Sequence, residues 1–307
     1  MAVITFDLGP PQKEITEELI EEMITWVPRR FRLCDFDKPL KPPGKLGDWQ
    51  EDWNLIFPFQ ETLVPTFQHM CPSVEHISFR LTSTGTAFYT FLKNVSDSDI
   101  QAVQDWIKRI ERYVALRDRM AISFAIDYDR VEGNPENQRT NVGRLRKKAK
   151  TYGKRATQET HKAADELIEL CLQTLGHLTC YDSTTCVVGV PPSDPEKPFD
   201  LPEHLASGIS SSLGKSDKTE AVRTTTARPG TKGIQLENKL STIRGTIEVD
   251  RSAFKDEVVL LVDDLYQSGV TMNYVGMLLL EAGAKKIFGL SCEKTCSNDD
   301  NVSRRQG

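Results

Sequence analysis

Two adjacent carboxylates, Asp263 and Asp264, follow the apolar run Val258 to Val262 and precede Ser268, Gly269 and Thr271. Five apolar residues in a row predict a strand buried on both faces, with the acidic pair where that strand should end. The residues that follow predict a short loop. A helix then begins near Val270 or Thr271 and is apolar nearly all round through Leu280. In an open α/β sheet, ligands bind beyond the carboxyl ends of the strands. A helix N-terminus at that place offers unpaired backbone N–H groups and a partial positive charge, which suits a phosphate. Gly269 allows close backbone approach and a positive φ. The hydroxyls of Ser268 and Thr271 can add hydrogen bonds. Carboxylates repel a phosphate, but they suit the hydroxyls of an attached sugar, or a Mg²⁺ beside it. These residues therefore point to a phosphorylated sugar lying across a strand end.

The elements that must hold this motif alternate. Helical spacing is expected over Thr157 to Leu175, Leu201 to Leu213 and Val270 to Ala282, and strands over Thr184 to Val190, Thr246 to Val249, Glu257 to Val262 and Ile287 to Ser291. Strands alternating with helices predict a parallel sheet covered on both faces. The first part of the chain differs in composition. All four Trp (26, 49, 53, 106) and nine of the 13 Phe lie there. It predicts a helix over Thr16 to Trp26, a long loop over Asp35 to Asp52, a hairpin from His76–Leu81 and Ala87–Leu92, and a helix over Ser96 to Leu116 capped by Ser96 or Asp97. The fold class expected is α/β, with a separate α+β N-terminal domain. The expected units are residues 1–120, residues 121–295 and a polar tail, 296–307.

Asp263-Asp264-x-x-x-Ser268-Gly269-x-Thr271 after an apolar strand resembles the phosphoribosyl pyrophosphate (PRPP) motif of type I phosphoribosyltransferases. The resemblance implies that Asp263 and Asp264 contact the ribose hydroxyls as the catalytic pair and face Mg²⁺. It implies that Gln267, Ser268, Gly269, Val270 and Thr271 cradle the 5′-phosphate. Tyr266 is expected near the acceptor's base. Further matches are similar to the ComF-like, competence-associated branch. Val188-Gly189-Val190-Pro191-Pro192-Ser193 resembles its pyrophosphate loop, which implies that Pro191, Pro192 and Ser193 contact pyrophosphate. The small, polar, Gly- and Pro-containing stretch Thr224 to Gly233 reads either as a flexible loop closing over the substrate, with Arg228 and Lys232 reaching the pyrophosphate, or as a surface connector. Arg144 to Tyr152 resembles the branch's lysine-containing segment before a helix, and Arg223, Arg244 and Glu281 to Ile287 fit its later course. Glu196 to Asp200 stands where the family carries an Arg-Gly-Phe-Asn-Gln element; Asp194 and Glu196 are expected to point to solvent. The resemblance covers residues 138 to 295. It implies a phosphoribosyltransferase-like parallel-sheet domain that moves phosphoribosyl from Mg–PRPP to a nucleobase or nucleotide-related acceptor and releases pyrophosphate. Members of the superfamily that keep the ligand site without turnover imply an alternative, a regulatory or interaction module; the unfamiliar N-terminal unit beside it suggests a further one, a partner-bound effector of a bacterial defence system.

The remaining features bound these readings. A net charge of −5 argues against bulk-charge coating of nucleic acid. The segment Arg144 to Arg155, with seven basic residues and no acidic one, offers a local contact for pyrophosphate or a nucleic-acid backbone; the plainer reading is a solvated helix face. A protein or nucleic-acid partner would engage that segment or the N-terminal unit, where Trp49 and Trp53 offer stacking surfaces. Seven cysteines with no C-x-x-C pair suit free thiols in a reducing cytoplasm. No apolar run reaches the roughly 20 residues of a membrane-spanning helix, and no secretory signal is expected from the opening residues. A homo-oligomer or complex is expected.

Overall fold

The computed structural model describes residues 9–26, 30–31, 34–37, 53–151, 154–230 and 234–296. Lys232, Tyr152, Trp49, most of the expected loop 35–52 and the tail beyond Cys296 lie outside these residues.

In chain order the elements are α1 (Glu17–Met23), β1 (Arg30–Phe31), β2 (Asp35–Asp37), β3 (Trp53–Phe57), α2 (Leu63–Met70), β4 (Arg80–Leu81), β5 (Phe88–Leu92), α3 (Asp97–Ile110), β6 (Val114–Leu116) and β7 (Ile122–Tyr128). Then follow α4 (Asn141–Ala149), α5 (Gln158–His177), β8 (Cys186–Gly189), α6 (Leu201–Leu213), β9 (Ser216–Asp217), β10 (Val222–Thr224), α7 (Lys239–Ile243), β11 (Ile247–Val249), β12 (Val258–Tyr266), α8 (Val270–Glu281) and β13 (Lys286–Lys294). The helix starts obey local chemistry. Thr16, Ser96, Thr140, Thr157 and Asp200 each accept a first-turn backbone N–H.

The main sheet has the order β1-β6-β7-β13-β12-β8-β9. Its centre is parallel: β7, β13, β12, β8 and β9 run the same way, while β6 pairs antiparallel with β7 and β1 antiparallel with β6. The expected parallel sheet is therefore present as a mixed, mostly parallel one. One face carries α4, α5 and α6 over Leu260, Val262, Phe288 and Leu290; the other carries α1 and α8 over Val259, Leu261 and Ile287. A second sheet, β2-β3-β5-β4, is antiparallel and lies in the N-terminal part.

Several expectations are revised. The helix begun at Ser96 stops at Ile110, and Val114–Leu116 pairs with β7 instead. Its apolar residues suit either element, and the neighbouring strand decides. Among the described residues the strand at Thr246–Val249 does not join the parallel sheet; β11 pairs antiparallel with β10. The expected boundary after residue 120 falls between β6 and β7, which are hydrogen-bonded neighbours in one sheet. The strand over Glu257–Val262 runs on to Tyr266, because its ladder with β13 continues through Asp263↔Ser291 to Tyr266↔Lys294.

Candidate functional site

The acidic pair thus sits within the last turn of pleat of β12 rather than beyond it. Successive strand side chains point to opposite faces, so Asp263 and Asp264 cannot face the same groups. Asp264 turns toward α4. Its Oδ2 accepts hydrogen bonds from Arg146 Nε at 2.9 Å and from Lys150 Nζ at 2.8 Å. Arg146 Nη1 donates onward to Glu293 Oε1 on β13 at 2.6 Å. Arg146, Asp264 and Glu293 are all buried. Burial alone would raise the Asp264 pKa, but the Arg146 and Lys150 charges outweigh it and hold that carboxyl well below the usual carboxylate range. Burial lifts Glu293 to about 7, with Arg146 opposing. Asp263 has no such cation pair. Burial and the neighbouring Asp264 charge push it up to about 7, and its Oδ1 accepts the Asp264 N–H at 2.7 Å.

The loop after β12 behaves as its sequence implies. Gly269 stands at the N-cap of α8 with φ +79°, and no side chain caps the helix. The first-turn N–H groups of α8 are therefore open to an anion. Asn273, fully buried, donates from Nδ2 to Gly269 O at 2.8 Å and accepts the Arg119 N–H at 3.0 Å, which ties the loop to the turn before β7. Gln267, Ser268, Gly269 and Thr271 line the cleft. The Val270 side chain packs into the core instead, which leaves only its backbone for a ligand. Tyr266 also departs from expectation. It is buried beneath Gly269, where a Cβ on that glycine would overlap its hydroxyl and lie 2.5 Å from its Cζ. It supports the loop from below and does not project to an acceptor.

On the other flank of β12, Val190 extends the ladder by donating to Val262 O at 2.9 Å, and Pro191, Pro192 and Ser193 line the cleft. The stretch after β10 lies over this loop. Thr224 Oγ1 donates to Pro192 O at 2.5 Å and the Arg228 N–H donates to Ser193 O at 2.9 Å. Arg228 Nε donates to Thr246 Oγ1 at 3.1 Å, while its Nη2 is buried with no partner. Asp200, the N-cap of α6, is neutralised by Lys197 at 2.6 Å. Asp194 and Glu196 are exposed, as expected.

The same cleft thus gathers the residues singled out from the sequence, apart from the Val270 side chain and Lys232. Arg139, Arg146, Lys147, Lys150 and Lys197 also line it, and the sequence reading gave none of these an individual role. The signal for Arg146 was available. Val142, Leu145 and Ala149 form the buried stripe of α4, and position 146 falls inside that stripe; Lys150 follows at i, i+4. The basic segment is therefore not a fully solvated face. Its inner side neutralises Asp264, while Arg144 and Lys148 are exposed on the outer one.

Residues 204–298 match the family model of the phosphoribosyl transferase domain, so the C-terminal region carries that domain. The matched span contains the acidic pair and α8; α4 and the loop after β8 precede it. No curated protein matches the chain. Among solved structures, one described as the allosteric regulatory enzyme of purine biosynthesis is 11% identical, with a TM-score of 0.26. That match covers 81% of this chain and 51% of the other, so the chain spans about half the length of that structure.

Proposed function

We propose that this chain, with its phosphoribosyl transferase domain, binds PRPP and transfers the phosphoribosyl group to an acceptor, releasing pyrophosphate. The observation that carries the reading is one juxtaposition: an acidic strand end beside an uncapped helix N-terminus, in a cleft lined by Arg146, Lys150, Lys197 and Arg228. In this reading Gln267, Ser268, Gly269 and Thr271, with the α8 amides, take the 5′-phosphate. Asp263 takes the ribose hydroxyls. Pro191, Pro192 and Ser193, with Arg228, take the diphosphate, the role also expected of Lys232 from the sequence. Positive groups near the diphosphate stabilise the charge that develops as it leaves. The chain's contribution is otherwise positioning.

Mg²⁺ fits this site through Asp263 and the ligand's own oxygens. Mg²⁺ keeps several waters and takes few protein ligands. Asp264 Oδ2 is already engaged by Arg146 and Lys150, and among the described residues no group of three or more acidic, His or Cys side chains could hold a metal. When bound, Mg²⁺ would neutralise the departing diphosphate. Among the described residues no helix is long and apolar enough to cross a membrane, and seven unpaired cysteines support work in a reducing cytoplasm. The engaged Asp264 also favours a second reading, a regulatory module that holds PRPP as a signal without turning it over. Pyrophosphate release separates the two.

Arg228 gives a direct test of orientation. Titration calorimetry of Arg228→Gln should show PRPP binding weakened about tenfold, the loss of one charge-assisted contact. Ribose 5-phosphate, which lacks the diphosphate, should bind wild type and variant alike. Equal losses for both ligands would contradict the assignment.

A further inference from the structure

The acceptor is the open term in this reading, and the cleft restricts it. The loop Pro191–Ser193 follows β8, on one flank of β12. On the opposite flank lies β13, then β7, and α4 follows β7 and meets β13 through Arg146 and Glu293. A sugar held at the end of β12 with its diphosphate on the β8 side presents the other side of its anomeric carbon toward α4. In a displacement there, the entering group comes from the face opposite the leaving group. The acceptor therefore stands against α4 and the stretch that leads into it.

The lining on that side is cationic. Arg139, just before α4, and Lys147, on α4, both line the cleft. Neither has an ion-pair partner among the described residues, whereas Arg146, Lys150 and Lys197 each face a carboxylate. Aromatic platforms, which hold neutral bases by stacking, are missing from the described lining except for Tyr266, and that ring lies beneath Gly269. No described lining residue is a histidine.

We infer that the acceptor is an anion, carrying a carboxylate or phosphate group, seated by Arg139 and Lys147. The inference rests on the phosphoribosyl-transfer reading above. The chemistry balances without an added base. A lone pair of the deprotonated acceptor atom forms the bond to the anomeric carbon. The bond from that carbon to the diphosphate oxygen breaks, and its electron pair leaves on pyrophosphate. An acceptor atom that arrives deprotonated has no proton to lose, and two unpaired cations favour that form.

The test uses the full chain saturated with PRPP. Benzoate, inorganic phosphate and the neutral, similarly shaped benzamide are titrated by calorimetry, each against wild type and Arg139→Gln/Lys147→Gln. The expected result is that benzoate or phosphate binds at least tenfold more tightly than benzamide, and that this preference disappears in the double variant. Which of the two anions wins identifies the group. Benzamide binding as well as both anions, or an anion preference that survives the double substitution, would overturn the inference while PRPP binding stands. Failure of wild type to bind PRPP at all would overturn the underlying reading and this inference with it.

Discussion

Replacing Arg146 by Met should lower the unfolding free energy by about 3–5 kcal/mol, the usual cost of removing one partner from a buried ion-pair network. The reason is geometric. The guanidinium reaches two buried carboxylates at once, Asp264 through Nε and Glu293 through Nη1. Without it Glu293 loses its ion-pair partner among the described residues, and Asp264 keeps Lys150, whose side chain is 27% exposed and so offers a weaker, better-screened charge. Arg146→Lys should recover only part of the loss, because an ammonium is a point charge without the fork that spans two acids. Arg146→Met/Glu293→Gln should recover more, since the second change removes a stranded carboxylate. Urea unfolding of the set measures all three values. A loss under about 1 kcal/mol for Arg146→Met would mean that the network stabilises nothing. The substitution should also release Asp264 into the cleft, so PRPP affinity should fall as negative charge at the strand end rises.

Gly269→Ala is the second large effect, and it acts on both stability and binding. The residue has φ +79°, a conformation that costs an L-residue about 1–2 kcal/mol. The added methyl would also press on the buried Tyr266 ring, 2.5 Å from Cζ and closer to the hydroxyl. Overpacking of this kind costs about 1–3 kcal/mol. The loop must then move, and the α8 amides move with it. The expected outcome is a protein destabilised by about 2–5 kcal/mol whose affinity for ribose 5-phosphate falls by tenfold or more. Adding Tyr266→Phe removes the atom nearest the new methyl, so the double variant should regain part of the lost stability relative to Gly269→Ala. Unchanged ribose 5-phosphate affinity in a folded Gly269→Ala protein would separate this helix N-terminus from phosphate binding.

Much of this site is local in sequence, and that part was legible. The apolar run, acidic pair, glycine and following helix are contiguous, so strand end and helix N-terminus could be read from spacing alone. Leu201–Leu213 forms the expected helix because its Asp200 cap and its Gly214 stop, at φ +63°, are both written locally. What was hidden depends on distant partners. Ile122–Tyr128 mixes Ser123, Ala125 and Asp127 with its apolar residues, so it lacks the continuous apolar signature of a buried parallel strand. It is nevertheless β13's neighbour, and Ser123 fits because Gly289 opposite has no side chain; a Cβ there would lie 2.6 Å from Ser123 Oγ. Arg146 stands 118 residues from Asp264 and 147 from Glu293. A basic residue among basic residues reads as solvated until the fold brings those acids to it. Tyr266 was misread for a related reason. The strand continues two residues past the acidic pair, and the Tyr266 ring lies in the core beneath Gly269, a placement set by the turn after the strand that spacing alone does not show.

In the proposed function the end of β12 binds PRPP through Asp263, with Mg²⁺ assisting. The most direct measurement is a thermal-unfolding titration with PRPP, with and without Mg²⁺, of wild type, Asp263→Asn and Asp264→Asn. At 100 times the dissociation constant a ligand specific to the folded state adds about 2.7 kcal/mol, a rise of about 4 °C for a chain of this size. That rise is expected in wild type with Mg²⁺, a smaller one without it, and none in Asp263→Asn. Asp264→Asn should retain some response from a lowered baseline, because its carboxylate serves Arg146 and Lys150 before it serves a ligand. A wild-type protein that shows no shift at millimolar PRPP, or an Asp263→Asn variant that responds as wild type does, would contradict the proposed function.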